Sequence, residues 1–183
     1  PNGTVTISVS SCIVGSCMTE TVTAVVTNPA SITITGPEPG GELTGPTETV
    51  TGECQPVGGT VNVSVAPAGA DPVAVICGTD GLFTATITTT GVPNGTATIT
   101  VSTCSDAAGC ATDTVTTEIT NPASITITGP EPGGELTGPT ETVTGECSPV
   151  GGTVNVSVAP AGADSVQTIC GTDGMFTATI TTT

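Results

Sequence analysis

The side chains best able to do chemistry in this chain are eight cysteines: Cys12, Cys17, Cys54, Cys77, Cys104, Cys110, Cys147 and Cys170. Beside them stand 16 carboxylates, and the 183 residues include no Lys, Arg or His. That inventory narrows the chemistry sharply. A serine here has no conventional base, a carbonyl substrate meets no Schiff-base amine, and an oxyanion finds no cation. Paired carboxylates can cleave glycosidic bonds, but Glu38/Glu42 and Glu48/Glu53 fall in turns or at outward strand positions, where a solvated carboxylate is the simpler reading. We therefore expect no enzyme. The missing cations also exclude phosphate recognition, and with it nucleic acid. A net charge of −16 sets the chain against anionic membrane surfaces.

An even number of regularly spaced cysteines points to disulfides formed outside a reducing cytosol. Zinc is the competing reading, but it favours two close ligand pairs, often with His. Gaps of 22 and 5 residues without any His fit it poorly. No catalytic or cofactor-binding residue is assigned. Calcium is the one ion the carboxylates suit, because hard cations take oxygen ligands. The weak candidates are Asp106 and Asp113 at one loop and Glu118 near the junction at Asn121-Pro122, with Glu38 and Glu42 in a Gly-Pro loop. There is no Asp-x-Asp or EF-hand spacing, so diffuse counter-ion binding is the expectation and no metal site is assigned. Asn2 and Asn94 (Asn-Gly-Thr) and Asn62 and Asn155 (Asn-Val-Ser) are acceptor sequons for N-linked glycans. Attached glycans would share the surface with outward threonines such as Thr84, Thr86 and Thr88, whose simpler role is β-propensity.

The elements that carry these residues repeat. Residues 28–90 recur as 121–183, displaced by 93 positions and differing at five of 63: Gln55/Ser148, Pro72/Ser165, Ala74/Gln167, Val75/Thr168 and Leu82/Met175. Residues 1–27 match 93–120 with one residue inserted in a loop. Such a period suits a tandem array of small domains. Within one period the apolar residues alternate, which is the strand signal. Strands are expected at 31–35, 48–54, 60–66, 72–77, 82–90, 96–104 and 111–120, with turn-rich sequence at 36–47 and a hairpin turn of Asp-Gly type at 78–81. No stretch has a helical period, and no apolar run reaches the ~18 residues of a spanning helix. Strands apolar on one side only must face a second sheet, so the fold class is all-β: tandem, Ig-like antiparallel β-sandwich domains of about seven strands, stapled by disulfides. Phe83 and Phe176 have inward parity and belong to the core.

Parity also pairs the cysteines. Cys54 and Cys77 point inward from their strands, whereas Cys104 and Cys110 point outward at the two ends of one loop. The expected bridges are Cys54–Cys77, Cys104–Cys110 and their repeats Cys147–Cys170 and Cys12–Cys17.

The succession of Ile34, Gly36-Pro37, Val50-Thr51-Gly52, Thr60-Val61-Asn62-Val63, Asp80-Gly81-Leu82-Phe83 and Asp106-Ala107-Ala108-Gly109 resembles the tandem bacterial Ig-like domains of large surface, biofilm and adhesin proteins. The likeness covers the whole chain. Two departures are visible: Cys110 stands where an Asn is common, and Ile13-Val14-Gly15-Ser16 replaces the Asp-Ala-Ala-Gly loop in the first copy.

Three segments follow: 1–27, the last two strands of an Ig-like domain; 28–120, a complete one; and 121–183, the first five strands of another, completed by a neighbouring copy. Pro1-Asn2-Gly3 has no leader character, which fits a removed leader or a piece of a longer chain. A longer run of near-identical repeats would complete each unit covalently; strand addition between molecules would complete it without a covalent link. Either gives an open head-to-tail array. The expected function is a structural repeat of an extracellular filament or cell-surface fibre; the alternative is an adhesin stalk or ligand-binding surface module, with or without calcium. The expected partners are copies of itself, with no nucleic acid and no membrane insertion in this segment.

Overall fold

A computed structural model of the chain describes residues 3–67, 69–105, 109–159 and 165–181. Strands account for all its regular structure. The first two are β1 (Gly3–Ile13) and β2 (Ser16–Val26); then come β3 (Ser31–Gly36), β4 (Glu42–Leu43), β5 (Thr47–Gln55), β6 (Thr60–Ala66), β7 (Val73–Ile76) and β8 (Leu82–Thr88). The chain continues through β9 (Gly95–Ser105), β10 (Gly109–Ile119), β11 (Ser124–Gly129), β12 (Thr140–Ser148), β13 (Thr153–Val156), β14 (Val166–Ile169) and β15 (Met175–Thr181).

Alternation decides what these strands bury. In β6 Val61, Val63 and Val65 are buried while Thr60, Asn62 and Ser64 are exposed, and β8 does the same with Phe83, Ala85 and Ile87. Strand β3 pairs with β5 and β5 with β8, giving one three-stranded sheet. A five-stranded sheet runs β4-β10-β9-β6-β7. The apolar faces of these two sheets meet in one core, with Val50, Phe83 and Ile87 from the first against Val61, Val63, Ile99, Val101, Val115 and Ile119 from the second. Each such side chain contributes about 1.5–3 kcal/mol through removal from water.

Three details depart from the sequence reading. Glu42-Leu43 in the turn-rich loop forms the short β4, so the described residues of 31–119 hold eight strands, and β4 lies parallel to β10, not antiparallel. The turn at 78–81 forms with Gly81 at φ +79°, but it does not join a hairpin. Its flanking strands β7 and β8 belong to different sheets, and the turn carries the chain between them. The reason lies in its bonds: the Gly81 carbonyl accepts the Cys54 amide at 2.8 Å, which ties the turn to β5.

Among the described residues, strands β1 and β2 pair only with each other, from Gly3↔Val26 to Ile13↔Ser16. Residues 121–181 repeat the arrangement of residues 28–88 in part: β11-β12-β15 form a three-stranded sheet and β13-β14 a two-stranded one, around a smaller core of Val143, Cys147, Val154, Cys170, Phe176 and Ile180.

Candidate functional site

The four disulfides are Cys12–Cys17, Cys54–Cys77, Cys104–Cys110 and Cys147–Cys170, the pairs that strand parity predicts. They are of two kinds. Cys54, in β5, and Cys77, just after β7, are both buried and tie the two sheets together through the core. Cys104 and Cys110 are exposed register partners across β9 and β10, as Cys12 and Cys17 are across β1 and β2, so these bridges clip hairpin ends.

The carboxylates proposed for calcium are placed apart or already engaged. Asp113 Oδ2 accepts the Ile34 backbone N–H at 2.8 Å, and its Oδ1 accepts the Thr114 N–H at 2.9 Å. Glu118 Oε1 accepts the Thr96 hydroxyl at 2.6 Å. Asp113 and Glu118 differ by five positions on β10 and so lie on opposite faces of the sheet. Glu118 does neighbour Glu42 across the β10–β4 pair, whereas Glu48 holds its own loop by accepting the Thr44 and Gly45 amides at 3.1 and 3.0 Å. Among the described residues no three His, Cys, Asp or Glu side chains gather. Asp106 lies outside the described residues.

Of the sequon asparagines, Asn62 is exposed on β6, and Asn155 on β13 accepts a hydrogen bond from Gln167 at 3.0 Å. Asn94 has both ends of its side-chain amide in use: Oδ1 accepts the Asn121 N–H at 2.7 Å and Nδ2 donates to the Asn121 carbonyl at 3.1 Å. Asn2 lies outside the described residues.

Asn121 is the residue that sequence reasoning missed. It opens the second copy of the repeat, yet it is buried and its side-chain amide donates to the carbonyls of Thr89 (2.9 Å) and Val92 (3.0 Å). The first residue of one copy thus closes the loop 89–94 of the preceding unit. Its only signal in the sequence is its place before Pro122, which reads as a linker.

The larger surface feature appears on comparing identical stretches. Ile32 and Leu43 are 8% and 4% exposed, whereas their repeats Ile125 and Leu136 are 59% and 41% exposed. Ile99 and Val101 of β9 are fully buried, whereas their counterparts Ile7 and Val9 in β1 are 51% and 68% exposed. What covers Ile32 and Leu43 is the β9–β10 hairpin. The same sequence is core where that hairpin is present and surface where it is not. Apolar side chains are thus exposed on β1, β2 and β11.

No protein-family model matches the chain, and no curated protein is similar to it. Among solved structures it is similar to the endo-β-1,4-mannanase from Thermotoga petrophila, at 13% identity and a TM-score of 0.40 over 52% of this chain and 20% of that one. A Ca2+-stabilized adhesin that helps an Antarctic bacterium reach out and bind ice matches at 13% identity and a TM-score of 0.32, over 97% of this chain and 48% of that one. A 1.5-MDa bacterial ice-binding adhesin matches at 14% identity and a TM-score of 0.34, over 85% and 55%. The chain thus spans between 20% and 55% of the length of these structures.

Proposed function

We propose that this chain is a structural repeat of an extracellular filament or cell-surface fibre, built of head-to-tail Ig-like β-sandwich units. The repeating unit is residues 28–120, and residues 1–27 and 121–183 repeat its end and its beginning. The observation that carries the reading is Asn121: the opening residue of one near-identical copy is built into the preceding unit through its bonds to Thr89, Val92 and Asn94. Consecutive units are therefore joined at a fixed point, which is what an array under axial load needs. The sheet order, β3-β5-β8 against β4-β10-β9-β6-β7, supports the Ig-like description. Four disulfides support an oxidising, extracellular setting, and the net charge of −16 keeps the surface soluble.

Electron microscopy of the source cells, with antibody raised to this chain, tests the reading. Uniform filaments decorated along their length, with an axial repeat of about 40 Å set by strands of this length, are expected. Isolated stalks labelled only beneath a distinct tip would overturn it.

A further inference from the structure

We infer that Asn62 and its repeat Asn155 carry N-linked glycans, whereas Asn94, which also opens a sequon, does not. The inference goes beyond the filament reading: it assigns a covalent modification and the class of its substrate, a sugar activated on a phosphate leaving group.

Asn62 serves no purpose in the packing. Asparagine is depleted in strands, and among the described residues Asn62 and Asn155 are the asparagines that stand in one. Strand β6 is interior to its sheet, with β7 on one side and β9 on the other. The Asn94 and Asn121 side chains are held by hydrogen bonds; among the described residues nothing donates to or accepts from the side chain of Asn62. Its register partners are small, Ala74 on β7 and Ser102 on β9. Ser64, the hydroxyl residue of the sequon, is exposed on the same side of β6, about 7 Å along the strand. Val63 between them is buried. The outer face of β6 thus presents the whole acceptor motif to solvent, with no large side chain beside it in the register.

The two copies differ across from the sequon and not within it. Gln167 stands where Ala74 stands in the first copy, and its Nε2 donates to Asn155 Oδ1 at 3.0 Å. That bond uses the oxygen and leaves Nδ2, the atom to which a sugar is attached, unengaged. A glycan is compatible with both copies. Asn94 is the internal contrast. Its Oδ1 accepts the Asn121 N–H while its Nδ2 donates to the Asn121 carbonyl. To meet both groups of one residue, the amide must use the hydrogen on the same side as Oδ1. A glycosylated asparagine is a secondary amide and takes the trans form, which puts the sugar in place of that hydrogen. A glycan on Asn94 would therefore break the bond to the Asn121 carbonyl and force a sugar between the two residues.

The transfer balances without an oxidant or reductant. Nδ2 of Asn62 attacks C1 of a sugar carried on a phosphate; the Nδ2–C1 bond forms as the C1–O bond breaks. The phosphate leaves with the electron pair, and one amide proton passes to a base of the transferase. Because β6 is paired on both sides, transfer precedes closure of the sheet, and the folded chain keeps only the sugars it can accommodate.

The test is peptide mass mapping of the reduced protein isolated from its source cells. Cleavage after acidic residues separates the sequons, with Asn62 inside residues 54–80, Asn94 inside 81–106 and Asn155 inside 147–164. The first and third peptides are expected to carry the mass of a glycan, and the second none at Asn94. Two variants expressed in the same cells locate the bond. Asn62→Gln removes the acceptor and Ser64→Ala removes only the hydroxyl of the sequon; both positions are exposed. Each should abolish the added mass on 54–80 and leave the circular dichroism spectrum that of wild type. An unmodified Asn62 or Asn155, or a glycan on Asn94, would overturn the inference. So would a sugar on 54–80 that survives Ser64→Ala, since it would then sit on a hydroxyl oxygen. Uniform filaments of unmodified chain would reject the glycan and leave the filament reading standing; glycosylated chain confined to tip-bearing stalks would do the reverse.

Discussion

Phe83 and Gly52 face each other across β8 and β5, and the ring of Phe83 fills the space where a side chain on Gly52 would stand. The repeat reproduces the arrangement with Phe176 and Gly145. With two Phe and no Trp or Tyr in 183 residues, these rings are the largest core pieces available, and each is seated by a glycine.

A methyl group on Gly52 would collide with the Phe83 ring and the Thr33 carbonyl. Gly52→Ala is therefore expected to destabilise residues 28–120 by about 3 kcal/mol or more, since the strand cannot move without breaking its ladder. Chemical denaturation followed by circular dichroism measures it; Gly58→Ala, at an open turn, is not a neutral control because its φ of +78° disfavours a side chain. Thr84→Ser on the outer face is the better control and should fall within about 0.5 kcal/mol.

Asn121→Ala removes the donors that satisfy the Thr89 and Val92 carbonyls. The Thr89 carbonyl keeps the Val92 N–H at 2.9 Å, but the Val92 carbonyl loses its donor, which predicts a loss of about 1–3 kcal/mol from the residues that precede Asn121 in sequence. Hydrogen exchange is the discriminating measurement. Protection should fall in residues 28–119 more than in residues 140–181, although the substitution lies outside the former range.

Asp113→Ala should destabilise residues 28–120 by about 2 kcal/mol through loss of the bond to the Ile34 amide. Asp113→Asn, which retains an acceptor oxygen, should restore a large part of it. Calcium added to the wild-type chain should leave the melting temperature unchanged and give no saturable heat in titration calorimetry.

Replacing Cys54 and Cys77 together by alanine releases a loop whose ends are 23 positions apart, at a cost of roughly 3 kcal/mol. The double substitution at Cys104 and Cys110 releases a loop of only 6 positions at the exposed end of a hairpin and should cost about 2 kcal/mol. Paired denaturation curves give the order.

Strand positions and disulfide partners were legible because both depend on parity: Val61, Val63 and Val65 bury together, and Cys104 and Cys110 share the opposite face. The sheet assignment of β7 was not. A Gly-Thr-Asp-Gly turn reads as a hairpin locally, and only the distant pairing of β7 with β6 and β8 with β5 places its arms in separate layers. Strand β4 was hidden for a similar reason, since Glu42-Leu43 forms a strand only beside β10, some 76 positions away. Asp113 and Asn121 were misread because their partners, Ile34 and Thr89, are set by tertiary packing. Exposure of apolar side chains on β1, β2 and β11 was foreseeable from the repeat itself, as residues 1–27 and 121–183 each hold part of what 28–120 holds entire.

The Cys54–Cys77 bridge also sets how far a unit can give when pulled by its two ends. The 22 residues it encloses stay out of the stretched path even after the sheets come apart, withholding about 70 Å of contour at ~3.4 Å per residue. A strained thread of such units would lengthen less at each rupture and pass the load on sooner, and reductant would make the same thread more extensible without cutting it.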